Sequence, residues 1–162
     1  MNPATYRTLT LAVTPLVKQV VLASTQGQPL HVSRDHRKQF NQYAVYLLAL
    51  LERQQMRHAD SMDRGAGHET LTETMPITIP EWQIRLGVAS LITPARELEF
   101  NQFVLRTFRQ RLRDEIALRM ETTASIRKAA ELTLNRWGVG EDVYPLAAAL
   151  RHYNRHQDSA IS

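Results

Sequence analysis

From Pro94 to Met120 the apolar residues Leu98, Leu105, Phe108, Leu112, Ile116 and Met120 return at intervals of three, four or seven. An α-helix is the regular element that places such a series on one face. Thr93-Pro94 opens it well, since the threonine can cap and the proline lacks only a donor that the first turn does not use. A stripe of that length needs partners, so the rest of the chain has to supply apolar faces that cover it.

The same period recurs along the sequence. Ser33 is placed to cap a helix from about 33 to 58, with Phe40, Tyr43, Ala44, Leu47, Leu48 and Leu51 inward. Its outer face would carry Arg37, Lys38, Asn41, Glu52 and Arg53. Pro80 opens a short helix over 79–89, with Trp82 in its first turn. Thr122 or Thr123 caps another, whose inner face is Ile126, Ala130, Leu134 and Trp137, and Gly138 and Gly140 stop it. Pro145 starts the last helix, with Leu146, Ala149, Leu150 and Tyr153 inward. Near the N-terminus Thr14-Pro15 repeats the cap-then-proline signal. Just before it "YRTLTLAV" alternates as a strand does, but no pairing partner is evident, and helix is expected through most of 3–25. Gly27 and Pro29 then break the chain.

Few Val, Ile or Thr runs alternate, and no Asn-Gly or Asp-Gly hairpin turn is present. The expectation is an all-α fold, a compact bundle of five to seven helices forming a single helical domain over 1–162. The alternative division is into 1–58 and 77–162, joined by the Gly-, Ser-, Thr- and Asp-rich segment 59–76.

Composition narrows the chemistry. The 162 residues include no cysteine, which excludes disulfides and thiolate-held zinc or iron–sulfur centres, and a cytoplasmic setting is the simplest expectation. No run of about 18 apolar residues is present to span a membrane. "LTLAVTPLVKQVVLAS" is broken by Pro15, Lys18 and Gln19 and is not read as a signal peptide. The formal charge is +4, and 17 of the 20 basic residues are arginine, whose fork suits phosphates and carboxylates. The excess is spread evenly: eight basic against six acidic residues through position 75, then twelve against ten, so neither half is a basic arm.

The C-terminal pair of helices, 123–137 and 145–157, is helix-turn-helix-like. Arg151 and Arg155 lie four apart on one face of the second helix, with His152, Asn154 and Gln157 available for hydrogen bonds. Two features weigh against this reading: the turn exceeds the usual three or four residues, and Glu141 and Asp142 stand where they would repel phosphate. A second basic face, Arg106, Arg109 and Arg113, lies on the long helix, interleaved with Glu99, Asp114 and Glu115. An ordinary solvated face is the default explanation of either series. A single continuous patch would favour an anionic partner.

Other chemistry finds less support. His152 and His156, four apart, would present two imidazoles to one ion, but no third ligand accompanies them, and neither a metal nor any other cofactor is expected. The chain lacks a nucleophile elbow, a P-loop and a dinucleotide fingerprint. Asp114-Glu115 and Glu141-Asp142 are adjacent and diverge on a helix, so no catalytic residue is assigned and an enzyme is the least supported class. The leading expectation is a small non-enzymatic nucleic-acid-binding or regulatory protein with DNA as partner, using Arg151, Arg155 and His152, supported by Arg106, Arg109 and Arg113. The rival is a helical interaction or scaffold protein that self-associates, as a homodimer, and binds another protein; Trp82 would be its more exposed anchor. No membrane partner is expected.

Overall fold

The computed structural model describes residues 5–35, 40–52, 67–87 and 92–160. It overturns the all-α expectation. A three-stranded mixed sheet stands with six helices, in the order β1 (Tyr6–Val13), α1 (Pro15–Ser24), β2 (Leu30–His31), α2 (Gln42–Glu52), β3 (Glu73–Pro80), α3 (Glu81–Arg85), α4 (Pro94–Arg119), α5 (Ile126–Arg136) and α6 (Leu146–Ala160). The chain divides into two compact units, Met1–Val104 and Leu105–Ser162, and the division falls within α4.

In the first unit the sheet order is β1-β3-β2, with β1 antiparallel and β2 parallel to the central β3. "YRTLTLAV" is therefore a strand and not the start of a helix. Its partner, paired from Tyr6↔Pro80 to Val13↔Glu73, lies 60 to 74 residues away in a stretch read as loop and helix start. Pro76 and Pro80 disguise that partner. Val32 donates to the Thr78 carbonyl at 2.8 Å, so Thr78 turns its backbone groups toward β2. Two residues to either side, Pro76 and Pro80 turn their donor-less nitrogens the same way, where β2 pairs only through Leu30 and His31. Met75, Ile77 and Ile79 are left to bond β1.

Alternation sorts the two faces. Leu11, Val13, Met75, Ile77 and Ile79 are buried, while Thr8, Thr10 and Thr74 are exposed. The buried face joins Val17 and Val21 of α1, Leu47, Leu48 and Leu51 of α2, and Phe100 and Val104 of α4 in one core. Thr14 caps α1 as the sequence indicates, its hydroxyl accepting from the Val17 amide at 3.3 Å. The Ser33 cap does not form: Ser33 closes a turn to the Asp35 amide, and Asn41 caps α2 by accepting from Tyr43 and Ala44. Phe40, expected inward, precedes that helix and is 80% exposed. The remainder of the expected helix, 36–39 and 53–58, lies outside the described residues, as does 59–66 of the Gly- and Ser-rich segment.

The outer edge of β1 is completed by side chains. Ala12 and Thr14 turn backbone groups away from β3, and α4 meets them with Glu97 and Asn101. Ala12 N–H donates to Glu97 Oε2. Asn101 accepts from Thr14 N–H at 2.9 Å and donates to the Ala12 carbonyl at 3.0 Å and to the Glu97 carbonyl at 2.8 Å. The other Glu97 oxygen lies 3.3 Å from His68 Nε2. An i, i+4 pair on a helix thus does the work of a fourth strand.

The second unit is helical. Phe108, Leu112 and Ile116 of α4 are buried with Ala129, Ala130 and Leu134 of α5 and Ala149 and Tyr153 of α6. Phe108 meets the rings of Trp137 and Tyr144 edge-on, with centroids 5.8 and 5.1 Å away. Ser125, two residues beyond the expected Thr123, caps α5. The chain leaves α5 through Gly138 at φ +66°, a conformation that glycine adopts without strain.

Asn101 is buried, and truncating it strands a donor on Thr14 and an acceptor on Ala12. Asn101→Ala is expected to cost about 2–4 kcal/mol in urea unfolding of the whole chain. A loss below about 0.5 kcal/mol, the level of an ordinary surface change, would show that the edge does not need these bonds.

Candidate nucleic-acid interface

All six residues singled out from the sequence fall in the second unit. α4 carries Arg106, Arg109 and Arg113 on the shoulder of its buried stripe, where guanidinium stems cover apolar surface while the heads stay wet. α6 buries Ala149 and Tyr153, so His152 and His156 form the neighbouring stripe, and Arg151 and Arg155 lie exposed beyond them.

Four of the six come together where α4 meets α6. His152 sits against the Arg109 main chain, under the influence of the Arg109 and Arg113 side chains. Its ring meets that of His156 edge-on, 4.9 Å between centroids. Its Nε2 is buried, with no partner at full hydrogen-bond geometry, and the Arg109 main chain is the acceptor nearest the ring. The Arg109 guanidinium also reaches the Tyr144 hydroxyl, on which Arg151 acts as well, so Tyr144 links the cations of the two helices. Arg106 and Arg155 are exposed one turn away from Arg109 and Arg151 on their own helices.

The electrostatics follow from this crowding. Burial is the main cause that pushes the His152 pKa below the usual histidine value, and the positive charges of His156, Arg109 and Arg113 push it further. The Arg109 backbone pulls weakly the other way. Burial likewise raises the Tyr144 pKa, against the charge and hydrogen bond of Arg109 and the charge of Arg151. Among the described side chains, carboxylates stand at the border. Asp114 lies 4.0 Å from Arg113 Nε and is also held by Gln110, which Arg113 contacts as well. Glu115 is engaged by Arg119 and Arg136.

The α5–α6 connection differs from a groove-reading arrangement at one point. Glu141 reaches the first turn of α6, its Oε2 accepting from the Leu146 amide at 3.0 Å. This carboxylate caps the helix and occupies the end where a phosphate would dock on the helix dipole. The exposed cations of α6 therefore lie along its side and not at its acid-capped tip.

Sequence reasoning found the arginines and His152 but left out two members of the group. His156 is absent from the residues assigned to binding, although its i+4 spacing from His152 places it on the same stripe. Tyr144, inside a connection, gave no periodic signal. Among the described residues, no three His, Cys, Asp or Glu side chains gather to hold a metal ion, and no helix is long and apolar enough to cross a membrane. Comparison with protein-family models, curated proteins and solved structures yields no match to this chain.

A neutral His152 in the folded state ties stability to pH. Its folded pKa lies below the unfolded value of about 6.5, so its contribution is complete above that value and is lost as pH falls toward the folded pKa. Burial lowers His31 of the first unit in the same sense. Urea unfolding of His152→Gln is expected to show a shallower loss of stability below about pH 6.5 than the unaltered chain. Parallel curves would remove His152 from this balance.

Proposed function

We propose that this chain binds nucleic acid through the cationic seam between the second half of α4 and α6. One observation carries the reading: Arg109, Arg113, His152 and His156, from two helices, crowd one place where, among the described side chains, carboxylate stands at the margin. Like charges held together oppose folding of that region, and a polyanion relieves the opposition while releasing its own counterions. Arg151 extends the seam through Tyr144, and Arg106 and Arg155 lengthen it along the two helices. Such a row suits a phosphate backbone, which guanidinium groups contact without regard to base identity. The second unit holds ten basic and seven acidic residues, so the positive balance lies on the side of the chain that carries the seam. The acid-capped start of α6 argues for backbone contact along the seam over insertion of the helix tip into a groove.

The test is equilibrium binding of a labelled duplex followed by fluorescence anisotropy at several salt concentrations. With about four phosphates neutralised, affinity is expected to fall roughly a hundredfold between about 50 and about 200 mM salt. Arg109→Ala with Arg113→Ala is expected to lower the slope of log affinity against log salt by nearly two. Binding whose salt slope that pair of changes leaves intact would place the contact elsewhere.

A further inference from the structure

We infer that the seam takes up its phosphate together with a proton, carried on the imidazole of His152, so that affinity for nucleic acid rises as pH falls. The inference rests on the nucleic-acid reading above and assigns a regulation to that same site. Its basis is geometric. His152 stands at the centre of the cluster, with a buried ring nitrogen, Nε2, that meets no side-chain acceptor and has only the Arg109 main chain beside the ring. Arg109 and Arg113 face it from α4, and His156 flanks it on α6, with the two rings edge-on at 4.9 Å. Asp114, beside Arg113, is the acid at the border, and Tyr144, from the α5–α6 connection, stands against Arg109 within the field of Arg151. Among the described residues these are the charged and titratable groups that converge there.

Without an anion, a proton added to His152 would join a set of positive charges at a poorly hydrated position. Burial and those neighbours hold the ring neutral. A neutral imidazole offers one N–H, and the protonated ring offers two. A phosphate held by the Arg109 and Arg113 guanidiniums at the mouth of the seam reverses the sign of charge around the ring. The ion that was repelled becomes the favoured form, and binding draws one proton from solution. His152 is thus the element that makes the seam sensitive to pH in the range where histidine titrates. The arginines, charged throughout, set the affinity that remains at higher pH.

The experiment uses the full chain and the same labelled duplex at constant ionic strength, over a series from about pH 8 to about pH 5.5. The expected gain approaches tenfold in affinity per pH unit for the one proton where the linkage is steepest. His152→Gln is expected to lose that proton from its pH slope, whereas Arg151→Gln keeps the slope at reduced affinity. A second measurement needs no variant: the His152 imidazole, titrated by NMR with and without duplex, is expected to titrate at higher pH in the complex. Equal pH slopes for the unaltered chain and His152→Gln, with binding intact, would overturn the proton linkage and leave the nucleic-acid reading standing. An unshifted His152 titration in a formed complex would do the same. Failure to bind duplex at any pH in the series would overturn both.

Discussion

The first unit depends on what happens at one strand edge. Ala12 and Thr14 expose backbone groups on the side of β1 that no strand covers, at a place shielded enough for unmet donors and acceptors to be costly. Glu97 and Asn101 meet them with side-chain oxygens and an amide nitrogen. The contact joins positions 85 to 89 residues apart and fixes the start of α4 against the corner where β1 turns into α1. The Thr14 cap, the burial of Leu11 and Val13, and the seat of Phe100 beneath the sheet share that corner. Because the bonds from Glu97 and Asn101 close a loop of 85 to 89 residues, they raise the contact order of the unit, and such topology slows folding.

The helical parts of this architecture were legible because their signals are local. The stripe of Phe108, Leu112 and Ile116, the Thr14-Pro15 start and the inward Ala149 and Tyr153 depend on residues within a few turns of one another. The sheet depends on a distant match. β1 shows its alternation openly, yet alternation becomes a strand only beside a partner, and "ETMPITIP" hides its Ile and Met positions between prolines that usually end such a run. These prolines are tolerated because β2 is two residues long and asks little of the central strand on that side. Phe40 shows the opposite error: a residue with the right period stands outside because the helix begins after it, at the Asn41 cap.

The candidate site divides in the same way. Spacing within α4 and within α6 put Arg109 with Arg113, and Arg151 with Arg155, on common faces. Which face of α4 meets which face of α6 is a tertiary fact that no window of sequence contains. Tyr144 belongs to the group because the connection folds back under Phe108, and its hydroxyl comes to rest beside Arg109. His156 joins the group through its edge-on contact with the His152 ring.

A helix shoulder rich in arginine is most often a solvated surface, and the second unit contains an example of that ordinary arrangement. Glu115 lies between Arg119, at 3.0 Å, and Arg136, at 3.4 Å, one carboxylate shared by guanidiniums of α4 and α5. At the α4–α6 seam the pattern changes. Asp114 is one residue from Glu115 but stays at the border beside Gln110, while the centre is held by a neutral histidine whose neighbours would repel its proton. The same helix therefore has carboxylates within reach and does not place one at that centre. Stability alone favours the arrangement around Glu115. At the seam, by contrast, the described carboxylate nearest the histidine, Asp114, lies at the edge beside Arg113.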